Sequence, residues 1–269
     1  MSGDRLILVT NDDGIHAPGI AYLADALSPL GRVVTIAPDR NQSGVSHMIS
    51  LHRILRCHEH SEDRWSVEGS PADCVYLGVH ELLDRAPDLV VSGVNSGPNL
   101  SFDVHYSGTV GAAIEGTLLG VPSIAVSLTD VARGSFTIAA RFAATLAAKV
   151  LNEGLPNNTT LNVNVPGGEP TGYQMTFLGH RLFRHSVARR EDPRGAPYFW
   201  IGGVPADPHD FPGSDCNAIA DGLVSVTPLS VDQTNPRALA GPLGALELDG
   251  FARTDGVAPP VEIDVVPVR

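Results

Sequence analysis

The stretch that most constrains this chain is the apolar run Leu6-Ile7-Leu8-Val9, which leads into Asn11-Asp12-Asp13-Gly14 and then into the helix-like segment Ile20 to Leu27. A short apolar run bounded by polar residues reads as a buried strand, and the amphipathic segment after it as a helix. The two carboxylates then stand at the carboxyl end of a strand, where open α/β sheets keep their chemistry. Adjacent carboxylates repel, and in a partly buried site one must protonate unless a cation lies beside them; a divalent metal is the simplest answer. Asp-Gly is also a common turn pair, so the tetrapeptide alone leaves a plain βα turn open.

Two further strand ends carry the same kind of donor. Arg32 to Pro38 reads as a strand, and the polar loop Asp39 to His47 after it holds Ser43, an oxygen donor or a turn cap. Asp88 to Val94 is the clearest strand, and it runs into Asn95-Ser96-Gly97-Pro98-Asn99, an amide oxygen beside glycines that allow close backbone approach. Asp12, Asp13, Ser43 and Asn95 are hard oxygen donors with no cysteine and no compelling histidine among them. One magnesium or manganese ion, or calcium, is therefore favoured over zinc or copper. Tyr106-Ser107-Gly108-Thr109-Val110 opens another helix, and its hydroxyls and N–H groups suit either ordinary capping or phosphate. His47 and His105 are candidate proton donors by position only, and His52, His58 and His60 match no ligand spacing.

Composition removes several alternatives. Lys149, inside the helix-like run Thr137 to Leu151, is the only lysine among the 18 basic residues. No Walker lysine or Schiff-base lysine is on offer. The net charge of -12 argues against polymeric nucleic acid as a partner. Cys57, Cys74 and Cys216 are too few and too scattered for a disulfide framework or a zinc site and read as buried thiols. The amino-terminal apolar run is too short for a secretory signal and no stretch is long enough to span a membrane, so a cytoplasmic location is the default.

The rest of the chain supplies scaffold. Ile49 to Val67 reads as a β excursion with extended pieces at Ile49-Ser50-Leu51, Ile54-Leu55-Arg56 and Arg64 to Val67, and Asp73 as a helix-start residue before a helix from Cys74 to Leu83. Val121 to Leu128 is a further strand, and Leu161 to Pro166 reads as the last strand of the main sheet. Beyond Pro156 the strands are interrupted by Gly- and Pro-rich loops, which points to an arm or hairpin subdomain of the kind that pairs between subunits. The alternating segment Gly222 to Leu229 returns to the sheet after a short helix at Asp215 to Asp221.

Taken as an ordered set, Val9 to Gly14, Ala37-Pro38-Asp39 with Ser43 to Ser46, Gly69 to Val75, Val91 to Asn99 and Tyr106 to Val110 resemble the SurE family of survival-protein nucleotidases. The resemblance implies an α/β fold with a Rossmann-like core, a mostly parallel sheet flanked by helices over residues 1–166. Residues 167–269 would add a carboxy-terminal β-hairpin or arm for oligomerisation, with the strand 222–229 returning to the core. It implies a divalent-metal-dependent phosphomonoesterase that hydrolyses 5′- and 3′-nucleoside monophosphates by attack of a metal-activated water, with release from short polyphosphate in some relatives. Asp12, Asp13, Ser43 and Asn95 match the family's metal ligands, Asp12 or Asp13 also orienting the water. Asn11, Asn99, Ser107, Gly108 and Thr109 fall in motifs near the phosphate. A homodimer or homotetramer is implied. The rival readings are a phosphoryl-receiver signalling module, which would need another aspartate where Asn95 stands and a lysine at the last strand, and a non-catalytic nucleotide-binding protein.

Overall fold

In the computed structural model, residues 5–181, 183–205 and 210–240 are described. In chain order the strands are β1 (Leu6–Thr10), β2 (Arg32–Pro38), β3 (Cys57–Ser61), β4 (Arg64–Val67), β5 (Leu89–Ser96), β6 (Ser123–Leu128), β7 (Thr159–Val165), β8 (Gly172–Met175), β9 (Phe183–Glu191), β10 (Pro197–Pro205) and β11 (Leu223–Ser230). The helices are α1 (Pro18–Leu27), α2 (Pro71–Leu77), α3 (Gly108–Leu118), α4 (Phe136–Glu153), α5 (Asp215–Ala220) and α6 (Pro236–Ala240).

One mixed sheet carries the order β3-β4-β2-β1-β5-β6-β7-β11-β8. From β4 to β7 every neighbouring pair is parallel, while β3 runs antiparallel to β4 and β11 antiparallel to β7. Parallel strands need crossovers that cover both faces, which is why β1 and β6 are buried along their whole length. Side chains alternate between the faces. Ile7 and Val9 pack with Ile20, Leu23 and Leu27 of α1 and with Ala139, Ala143 and Ala147 of α4, whose small side chains at i, i+4 spacing let that helix lie close. Leu6 and Leu8 pack on the other face with Cys74 and Val75 of α2 and Ala112 of α3. The chain moves from β1 outward to β2, then crosses back to β5 on the opposite side, so a topological switch point lies at the carboxyl end of β1.

Several sequence expectations change in detail. The strand ending at Val94 runs on to Ser96, with a register shift against β6 between Ser92 and Asn95. The helix expected over Cys74 to Leu83 starts at Pro71 because Ser70 and Asp73 form a reciprocal capping box. The Ser70 hydroxyl accepts from the Asp73 N–H at 3.0 Å, and an Asp73 carboxylate oxygen accepts from the Ser70 N–H at 2.8 Å. That helix continues past Leu77 as a wider turn, Gly78–Leu82. The extended pieces expected at Ile49 to Leu51 and Ile54 to Arg56 form no ladder. Leu51 and Ile54 are 77% and 78% exposed, with no sheet face to join. Leu161 to Pro166 is not the last strand, because β11 and then β8 lie outside β7. Cys74 and Cys216 are buried as expected, whereas Cys57 is only half-buried.

β9 and β10 form a separate antiparallel ribbon in register from Pro197↔Glu191 to Pro205↔Phe183. Phe199, Trp200 and Ile201 on it are exposed, Ile201 to 92%. The part of the expected arm beyond residue 240 lies outside the described residues. Among the described residues no helix is long and apolar enough to cross a membrane.

Candidate active site

At the switch point the chain leaves β1 through Asn11-Asp12-Asp13-Gly14. Gly14 has φ +101°, a left-handed conformation that favours glycine, and a side chain there would meet the Arg40 backbone at 3.0 Å. Asn11 holds this turn. Its amide accepts from the Gly14 N–H at 3.1 Å and donates to the Gly14 carbonyl at 3.0 Å. Asn11 is wholly buried and does not line the cavity beside it, so its observed bonds serve the loop.

The cavity, about 470 Å³, is lined by Asp12, Ser43, Gly44, the Asn95 to Asn99 loop, Asp103, Tyr106, Ser107 and Arg181. Three adjacent parallel strands thus deliver their carboxyl ends to one place, Asp12 from β1, Ser43 from the loop after β2 and Asn95 from β5. The loops are tied across one another. The Gln42 N–H donates to the Asp12 carbonyl at 2.7 Å. The Asp13 carboxylate accepts from the Ser96 N–H at 3.0 Å and from the Asn41 amide at 3.4 Å. The Asn95 amide nitrogen donates to the Gly97 carbonyl at 2.9 Å, which turns its oxygen the other way.

Asp12 is 3% exposed, and its carboxylate accepts from the Thr109 hydroxyl at 2.5 Å. Burial pushes this carboxyl above its ordinary range; the Thr109 hydrogen bond opposes the rise, and the negative charge of Asp13 adds to it. A hard cation relieves that repulsion, so the donor chemistry present fits a divalent ion. Among the described residues no three His, Cys, Asp or Glu side chains cluster as a metal site. The fit therefore rests on two carboxylates, a hydroxyl and an amide, a set that leaves room for water around a magnesium-like ion.

The start of α3 abuts the same carboxylate. Ser107 caps it by accepting from the Val110 N–H at 3.0 Å. Gly108 is required by packing, since a Cβ there would lie 2.8 Å from Asp12 Cβ. Of the residues expected near phosphate, Ser107 and Asn99 line the cavity and Gly108 and Thr109 touch Asp12. His47 does not line it; its Nε2 lies 2.5 Å from the carboxylate of Glu115 on α3.

Five residues escaped the sequence reading. Asn162 and Asn164, on alternate positions of β7, both donate to the Asn99 carbonyl, at 2.9 and 3.0 Å, and Asn164 accepts from the Asn99 N–H at 2.9 Å. Their signal is two amides alternating with Leu161, Val163 and Val165. Asp103 and Arg181 face each other at 3.8 Å in the cavity wall, and Asp215 underpins both; none of them sits in a motif.

Comparison with known proteins places this arrangement in context. The family described as Survival protein SurE matches residues 7–185. A protein of Myxococcus xanthus named 5′-nucleotidase SurE is 52% identical over 254 residues, covering 93% of this chain and 96% of its own. One of the same name from Syntrophotalea carbinolica is 51% identical over 234 residues, 86% of this chain and 94% of its own. The crystal structure of the SurE protein from Aquifex aeolicus superposes with a TM-score of 0.78 at 43% identity, over 87% of this chain and 97% of that one.

Proposed function

Since this chain belongs to the SurE family, we propose that it is a nucleotidase, a phosphoric monoester hydrolase releasing phosphate from nucleoside monophosphates with one divalent cation. The observation that carries this reading is the convergence of Asp12, Ser43 and Asn95 on one cavity at three adjoining strand ends. Asp12 and Asp13 would hold the cation with the Ser43 hydroxyl and the Asn95 amide oxygen, and hard oxygen donors favour magnesium or manganese, with calcium also accommodated. When bound, such an ion supplies Lewis acidity toward phosphoryl oxygens and a water of lowered pKa.

The chain's own residues do the positioning. Thr109 fixes the Asp12 carboxylate through its hydroxyl. The Ser107 hydroxyl and the Gly108 N–H at the start of α3 offer donors toward phosphoryl oxygens, Thr109 acts through Asp12, and Asn99 is held by its neighbours on the same wall. Asp12 or Asp13 orients the attacking water. Phosphoryl transfer needs little covalent work from the protein beyond such positioning and charge compensation. Esters at the 3′ position and short polyphosphates belong to the same proposal, because these groups address the phosphoryl unit.

A homodimer or homotetramer completes the reading. An isolated two-stranded ribbon is marginal in water, and the exposure of Phe199, Trp200 and Ile201 supports residues 167–269 as an arm that a second copy covers. The charge of -12 favours small substrates over polymeric nucleic acid.

The test is phosphate release from a panel of 5′- and 3′-nucleoside monophosphates with manganese, magnesium or chelator, using the native chain and Asp12→Asn. Release that needs metal and collapses in the variant is expected. Folded native protein that binds nucleotide yet releases nothing with any metal would replace the hydrolase reading with a binding role.

A further inference from the structure

Among the described residues that line the cavity, Arg181 is the one cationic side chain. Its surroundings are built rather than incidental. The Arg181 side chain is only 14% exposed, as is that of Asp103, and Nη1 stands 3.8 Å from the Asp103 carboxylate, an ion contact rather than a hydrogen bond. The backbone around both is clamped from beneath. The Arg181 N–H donates to the Ser101 hydroxyl at 2.8 Å, and that hydroxyl donates to the Gly179 carbonyl at 2.8 Å. Asp215, wholly buried at the start of α5, accepts from the N–H groups of Ser101, Gly179 and Cys216 at 2.7 to 2.8 Å. The turn that carries Asp103 and the segment that carries Arg181 are thus fixed to one carboxylate.

A charge count shows why a cation belongs there. A phosphomonoester carries nearly two negative charges at neutral pH. The cavity wall already presents Asp12 and Asp103, with Asp13 beside them. A divalent ion offsets only the Asp12–Asp13 pair, so without a guanidinium Asp103 would leave the wall one charge negative toward a dianion, and the Arg181 guanidinium brings it to neutral. A guanidinium also suits phosphate geometrically, with planar paired donors.

Resting on the phosphomonoesterase reading above, we infer that Arg181 is a substrate-binding residue that grips the phosphoryl oxygens, and that Asp103 is a positioning residue that aims it. Arg181 lies two residues before β9, so the ribbon's root forms part of the substrate site.

The test compares the native chain, Arg181→Gln, Arg181→Lys and Asp103→Asn with a nucleoside monophosphate and with p-nitrophenyl phosphate, and measures inhibition by inorganic phosphate. Metal-dependent release by the native chain secures the underlying reading; its absence would sink that reading rather than this one. Expected for Arg181→Gln is a KM and a phosphate inhibition constant raised on the order of tenfold to a hundredfold, with metal affinity by calorimetry and the thermal midpoint little changed. Arg181→Lys should restore part of the phosphate affinity, and if the glutamine variant does not fold, a raised inhibition constant in the lysine variant carries the test. Asp103→Asn should raise KM on both substrates alike. Unaltered KM and phosphate inhibition in Arg181→Gln would overturn the assignment. A kcat loss in Asp103→Asn confined to the nucleotide, whose leaving oxygen needs a proton, would make Asp103 the acid and overturn its positioning role.

Discussion

Gly108→Ala tests whether the close approach of α3 to Asp12 is what sets the position of the Asp12 carboxylate. A Cβ at residue 108 would stand 2.8 Å from Asp12 Cβ, 3.1 Å from its Oδ2 and 3.1 Å from Pro71 Cγ. Carbon atoms rest about 3.5 to 4.0 Å apart, so the new methyl is short of contact distance by roughly 0.8 Å. Pro71 prevents it from moving the other way. Overpacking of this size costs about 1–3 kcal/mol, and the helix preference of alanine over glycine returns about 0.8–1.0 kcal/mol. The net loss of stability is therefore about 0–2 kcal/mol, and the protein should fold. Function should suffer more. A displacement near 1 Å at a reacting group costs about 100-fold in rate, or about 2.7 kcal/mol of transition-state stabilisation. The assays are kcat/KM on a nucleoside monophosphate, metal affinity by calorimetry and a thermal melt. A folded Gly108→Ala protein with native kcat/KM and native metal affinity would refute the claim that this contact fixes Asp12.

Asp215→Asn replaces one of the two accepting oxygens with an NH2, set against either the Ser101 N–H or the Gly179 and Cys216 N–H groups, and should cost about 1–3 kcal/mol in urea denaturation while raising KM. Asn164→Ala strips the Asn99 N–H of its buried acceptor and should cost a similar amount, about 1–3 kcal/mol, read by the same denaturation and by a weaker apparent substrate affinity. At Asp88, burial raises the carboxyl, but hydrogen bonds from Arg85 and the Leu6 N–H and the positive charge of Arg85 outweigh it, so its pKa is lowered. A lowered folded-state pKa gives stability that is present above the unfolded value and lost as pH falls through the folded one. Asp88→Asn should therefore melt earlier than native at pH 7, and the gap should narrow in acid; a gap that does not narrow as pH falls below the ordinary aspartate range counts against this linkage.

What the chain discloses by itself follows the range of the physics involved. Strand ends announce themselves locally. Leu6 to Val9 and Leu89 to Val91 are apolar runs closed by polar residues, so Asp12, Ser43 and Asn95 group from local pattern alone, and the Ser107 cap likewise. Asn11 shows the limit of motif transfer, since its side chain is spent on Gly14. Arg181 and Asp215 were invisible because their meaning lies in bonds to Ser101 across 80 and 114 residues. Nothing in the local pattern around either distinguishes it from other polar loop residues. The false strand expectations at Leu51 and Ile54 have the opposite cause: β propensity without a neighbouring edge forms no ladder.

The joints of the cavity have a temporal meaning as well. Thr109 bonds Asp12 over 97 residues, Ser96 bonds Asp13 over 83, and Asp215 reaches Ser101 over 114. Chains emerge amino terminus first, and contacts of such separation form only after long loops close. A nascent chain therefore exposes its paired aspartates early and holds them idle until β5 and α3 have arrived. The wall behind Arg181 is braced later still, when Asp215 leaves the ribosome. A product cut just short of residue 215 would keep β1 to β10 and lack the brace.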